Sequence, residues 1–103
     1  MSKIKILIVG NGGREHAIAW KISNSFSFKN SDSLLYCTLG NPGIDNLAHP
    51  VKLNSVDIKG ITQFVIHEQI DLVVIGPEVP LSLGLADTLL NLTNAKVFGP
   101  SKA

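Results

Sequence analysis

The first regular signal along the chain is Ile4-Lys5-Ile6-Leu7-Ile8-Val9, where apolar residues follow one another and only Lys5 interrupts. A β-branched run without alternation fits a strand buried on both faces. Gly10-Asn11-Gly12-Gly13 breaks it sharply. From about Arg14 to Asn24 the period changes to that of a helix, with Ile18 and Ile22 on one face beside Ala17 and Lys21. Ser23 to Ser33 is rich in Ser and Asn and reads as a polar surface connection. Leu34 to Leu39 is a second strand, closed by the turn cluster Gly40-Asn41-Pro42-Gly43. The stretch to His49-Pro50 reads as irregular, and Val51 to Leu53 as a short third strand. Asp57 is placed to N-cap a helix running to about Gln69, with Ile58, Ile61 and Val65 inward. Asp71 to Ile75 is the next strand, ended by Gly76-Pro77-Glu78-Val79-Pro80. Ser82 to about Leu92 reads as a helix with Leu83, Ala86, Leu89 and Leu90 on its core side. Lys96-Val97-Phe98 forms a last short strand before Gly99-Pro100.

Strands alternating with helices predict an α/β fold: an open parallel sheet of about 4–5 strands, helices on both faces, joined by right-handed crossovers. Ligands of such sheets bind beyond the carboxyl ends of the strands. The loops at Gly10–Gly13, Gly40–Gly43 and Gly76–Pro80 are all expected there, on one shared rim.

Composition narrows the class without changing this picture. The 103 residues fit one small domain, 1–103, and 45% apolar against 17% charged residues supports a packed core. A net charge of +1 argues against a broad nucleic-acid surface. The one cysteine, Cys37, excludes an internal disulfide and reads as a small buried hydrophobe. No apolar run is long enough for a membrane span or a secretory leader, so a cytoplasmic protein is expected.

Three loops carry candidate chemistry. A glycine-rich turn from strand to helix lets backbone N–H groups approach an anion without Cβ obstruction, and the helix N-terminus adds partial positive charge. A phosphate is the natural guest of Gly10-Asn11-Gly12-Gly13; a tight turn without a ligand has the same pattern. A dinucleotide module shares Gly10-x-Gly12, but its third glycine would fall at Glu15 and no acidic residue ends the second strand. No Gly-Lys-Ser/Thr follows, which excludes the Walker pattern. Arg14 is a fork donor for a phosphate or a solvated partner of Glu15, and His16 is read as packed against Trp20. In the third loop, Pro77 and Pro80 stiffen the backbone around Glu78, whose carboxylate can accept from ribose hydroxyls or serve as a surface cap. Asn41, Pro42 and Gly43 either close over the same ligand or form a plain turn. No residue is assigned a catalytic role, His49 and His67 read as incidental, and no Cys/His spacing fits a metal.

Together these residues resemble a known family. Ile6-Leu7-Ile8-Val9-Gly10-Asn11-Gly12-Gly13-Arg14-Glu15-His16-Ala17-Ile18-Ala19-Trp20-Lys21 is similar to the opening of phosphoribosylamine–glycine ligases. Gly40-Asn41-Pro42-Gly43 resembles the family's second loop. The run Asp71 to Leu81 with Gly84 resembles its third, and Val97 to Ala103 the lead into the next domain. The resemblance implies a Rossmann-like pre-ATP-grasp domain, similar to that of biotin carboxylases, that holds the 5-phosphoribosylamine substrate. It implies a site formed by Gly10, Asn11, Gly12, Gly13, Arg14 and Glu15 with Asn41, Pro42, Gly43, Pro77 and Glu78, the last as ribose ligand. The full-length family enzyme uses ATP with Mg²⁺ or Mn²⁺ to join glycine to that amine in de novo purine biosynthesis. Family members are several times longer, so the ATP-grasp and carboxy-terminal domains are absent from this chain, which is expected to pack against that ATP-grasp domain and to bind no cofactor alone. The polar segment Ser23–Ser33 is longer than the family's usual one. Two rivals stand beside this reading: an NAD-type dinucleotide module and a ligand-free structural α/β domain.

Overall fold

The computed structural model describes residues 4–10, 21, 33–38, 49–53, 57–76 and 82–98. Among these residues five strands make one sheet: β1 (Lys5–Val9), β2 (Leu34–Thr38), β3 (His49–Val51), β4 (Leu72–Ile75) and β5 (Lys96–Phe98). Helix α1 (Ile58–Glu68) joins β3 to β4, and α2 (Ser82–Leu92) joins β4 to β5. Every pairing is parallel and the spatial order is β3-β2-β1-β4-β5. The expected open parallel α/β sheet is therefore present. Lys21 is helical, in keeping with the predicted Arg14–Asn24 helix, whose other residues lie outside the described ones.

The register shows why the first and fourth runs carry no polar alternation. Leu7 lies beside Val73 and Val9 beside Ile75, so these four share one face of the sheet. That face packs with Val51 against Ile61 and Val65 of α1 and Leu85 and Leu89 of α2 in one buried cluster. The other face carries Ile6, Ile8, Leu35, Cys37 and Val74, and these are buried too. Both faces exclude water, as a parallel sheet requires. The connections β3 to β4 and β4 to β5 advance the same way across the sheet. Right-handed crossovers then place their helices on the same face, where α1 and α2 meet.

Local signals set the element ends. Asp57 caps α1 as expected, its Oδ1 accepting from the Gly60 N–H at 2.9 Å. A Cβ on Gly60 would run into that same carboxylate, so the glycine makes room for the cap. Gln69 closes the helix in the left-handed conformation, φ 56°, and its N–H turns back to the Ile66 and Val65 carbonyls. Lys5, the interruption in the first apolar run, ties β1 to the end of α1: its Nζ donates to the Glu68 carbonyl at 2.9 Å, while its N–H donates to Asp71 Oδ2 at 2.8 Å. Tyr36 stacks edge-on against Phe64 at 5.4 Å and tilts over His49 at 5.7 Å. Burial, and then the Glu68 carboxylate, raise its phenol above the ordinary 10.0.

Two sequence expectations need correction. The third strand is His49–Val51, earlier than Val51–Leu53, because the pairing starts at Tyr36 opposite His49. Pro50 is admitted since β3 is an edge strand with one neighbour. In α2, Leu90 points to solvent at 59% exposed, whereas Leu85 is fully buried. At about 100° per residue, Leu85 and Leu89 lie nearly in line along the helix, and Leu90 lies well around from both. Ala86 and Leu89 face the core as expected, and the Leu83 side chain lies outside the described residues. Leu85→Ala should cost about 2–5 kcal/mol in urea unfolding, while Leu90→Ala should stay within about 0.5 kcal/mol.

Candidate functional site

Because β1, β2 and β4 run parallel, their carboxyl ends lie along one edge of the sheet. From β1 the chain moves in sequence to β2 and β3 on one side and then crosses to β4 on the other. The strand order therefore reverses beside β1, the place where crevices form in open α/β sheets. Val9 and Ile75 are register partners at this edge, and the Gly76 N–H donates to the Val9 carbonyl at 3.0 Å. Gly10 and Gly76 thus leave adjacent strands side by side, about 5 Å apart by strand spacing. The departure points expected for the first and third loops are brought together. Helix α2 begins shortly after Gly76, so its amino end is directed at the same edge.

Gly10 itself is buried and held from both sides by β2. Its N–H donates to Thr38 Oγ1 at 3.0 Å, and its carbonyl accepts from Cys37 Sγ at 3.4 Å. Its φ is 127°, a backbone conformation that side chains with a Cβ rarely adopt. Gly10 is the sharp corner at which the chain leaves the sheet, and its own amide is already engaged by Thr38. Any anion held here is left to the amides that follow it. Cys37 is buried, 1% exposed, as expected of a small core residue, and its thiol serves this corner.

Of the residues singled out from sequence, Gly10 falls among the described ones. Asn11, Gly12, Gly13, Arg14, Glu15, Asn41, Pro42, Gly43, Pro77 and Glu78 lie outside them. Thr38 was not singled out. The signal available was its place: a β-branched hydroxyl at the carboxyl end of an apolar strand, just before a glycine turn. It also bears on the dinucleotide rival. Such a site places a carboxylate at the end of the second strand, and here Thr38 ends it with its hydroxyl turned to Gly10.

A separate cleft of about 580 Å³ opens on the opposite, amino-terminal edge, lined by Val65, Gln69, Asp71, Asn91, Thr93 and Asn94 among others. It does not compete for an anion. The helix ends nearest it are the carboxyl ends of α1 and α2, whose partial charge is negative. Its one carboxylate, Asp71, already accepts from the Lys5 N–H.

Fold and edge together define an open, all-parallel α/β domain with its strand order reversed beside a glycine corner. A family profile described as "Phosphoribosylglycinamide synthetase, N domain" matches residues 4–103. The chain belongs to this family. It is 49% identical over 100 residues to the phosphoribosylamine–glycine ligase of Mesorhizobium japonicum, covering 97% of this chain and 22% of that protein. It is 41% identical over 99 residues to the phosphoribosylamine–glycine ligase of Caldanaerobacter subterraneus, covering 96% and 22%. It is 38% identical over 102 residues to the Haemophilus influenzae protein of the same name, covering 97% and 23%. The chain thus spans about a fifth of the length of these curated relatives.

Gly10→Ala should force the corner into a strained conformation and cost about 1–3 kcal/mol. Urea unfolding of the purified domain measures this, and an unchanged midpoint would show that the corner tolerates a Cβ.

Proposed function

We propose that this domain holds the phosphoribosyl substrate of a phosphoribosylamine–glycine ligase, and that it positions that substrate without performing the chemistry. The observation that carries the reading is that Gly10 and Gly76 follow the register partners Val9 and Ile75 out of adjacent strands at the strand-order reversal. Two loops entering from adjacent strands suit a ligand with two different ends. A phosphate needs unhindered amides and a positive helix end, which Asn11-Gly12-Gly13 with Arg14 and Glu15 would supply at the first loop. Ribose hydroxyls need an acceptor, which Glu78 between Pro77 and Pro80 would supply at the other. Asn41, Pro42 and Gly43 would line the same crevice from the end of β2.

In the longer enzyme, the nucleotide and its Mg²⁺ or Mn²⁺ belong to domains outside this chain. There the glycine carboxylate attacks the terminal phosphorus of ATP, giving an acyl phosphate and ADP. The amine of 5-phosphoribosylamine then attacks the acyl carbon. Phosphate departs, the nitrogen loses a proton, and glycinamide ribonucleotide results. Holding the phosphoribosyl end fixes where that amine points, which replaces a bimolecular search by an oriented approach. De novo purine biosynthesis is the process served, packing against the ATP-grasp domain is the arrangement it requires, and the cytoplasm is the compartment that suits it.

In the full-length ligase, Gly12→Ala should raise KM for phosphoribosylamine by roughly tenfold or more while leaving kcat near its original value, because uniform binding is lost. A melting temperature lowered with normal kinetics would instead make the glycine loop purely structural. The 103-residue chain alone should turn over no glycine, ATP and phosphoribosylamine; product formation by it would overturn the division of labour.

A further inference from the structure

Thr38 is a hydroxyl residue at the end of an otherwise apolar strand, 1% exposed. The register makes its bond to Gly10 unusual. The Leu34 N–H donates to the Ile4 carbonyl, and Ile6 and Ile8 lie opposite Leu35 and Cys37. The even spacing of a parallel ladder would next send the Gly10 N–H to the main-chain carbonyl of Thr38. The side-chain hydroxyl takes that proton instead, at 3.0 Å. The amide thus leaves the ladder at Gly10, and the next torsion, φ 127° at the same residue, turns the chain that follows away from the strand direction. On the other side of the same residue, Cys37 Sγ fixes the carbonyl at 3.4 Å. Both polar groups of Gly10 are therefore set by consecutive side chains of β2, one from each face of the sheet.

We infer that Thr38 is a positioning residue for substrate binding: its hydroxyl fixes the corner at Gly10 and so sets the direction in which the chain enters Asn11-Gly12-Gly13. The inference rests on reading this edge as the phosphoribosyl site. Valine in place of Thr38 keeps the β-branched shape but strands the buried Gly10 amide, or lets it fall back to the main-chain carbonyl and turn the peptide with it. Serine keeps the acceptor.

The test is steady-state kinetics of the full-length ligase with Thr38→Val, Thr38→Ser and Gly12→Ala. Thr38→Val should raise KM for phosphoribosylamine roughly tenfold, the scale of one buried hydrogen bond, leaving kcat and the KM for ATP and for glycine unchanged. Thr38→Ser should stay within about threefold of the original. Hydrogen exchange should show the Gly10 amide opening faster in Thr38→Val. Should the valine variant not fold, Thr38→Ala carries the same expectation. A raised KM in Gly12→Ala beside an unchanged KM in Thr38→Val overturns the role of Thr38 while sparing the site. Equal loss in all three KM values and in kcat, not rescued by serine, makes Thr38 a general stabilising residue and overturns its positioning role. Unchanged KM in both Gly12→Ala and Thr38→Val overturns the site itself and the inference with it.

Discussion

Everything the rim of this sheet can do depends on how the chain turns out of β1 at Gly10. A strand that simply continued would keep its amides in the ladder, paired to neighbours and closed to any ligand. The corner ends that pairing at a defined residue. It is held by a hydroxyl and a thiol from β2 and requires a backbone angle that favours glycine. The ladder bond from Gly76 to Val9 then places the neighbouring loop at the same point. Two short strands, buried on both faces, give this arrangement its rigidity; Leu7, Ile8 and Val9 are all fully buried.

The two edges of the sheet have opposite electrical character. At the carboxyl edge the amino end of α2 brings partial positive charge to the rim where Gly10 and Gly76 leave the sheet. At the other edge the carboxyl ends of α1 and α2 are partly negative. Lys5 answers the end of α1 and meets Asp71 through its backbone. The cleft at that edge has a lining and helix ends that suit closure of the fold better than capture of an anion.

Much of the fold was legible because the signals were local and unopposed. The unbroken runs at β1 and β4, Asp57 as a cap, and the ends of α1 and α2 follow from residue type and period alone. The errors arose where packing decides. Leu90 is as apolar as Leu85, and only the orientation of α2 against α1 shows which of them is enclosed. Pro50 reads as a strand breaker until its position at the sheet's edge is known. At the site, Gly10 was legible as a corner, but Thr38 was not. Its role comes from a register between strands 28 residues apart in sequence, which no local pattern carries. The family was legible because the glycine loop continues through Arg14-Glu15-His16-Ala17, and the match across residues 4–103 agrees.

The most direct test of the account is a backbone amide NMR titration of the 103-residue chain with ribose 5-phosphate, carried into the millimolar range. The account predicts saturable shifts grouped at the Gly10–Glu15 amides and at Gly76 and Glu78, with Gln69, Asn91 and Asn94 at the far edge unmoved. Shifts centred on that far edge, or none at either, would contradict it.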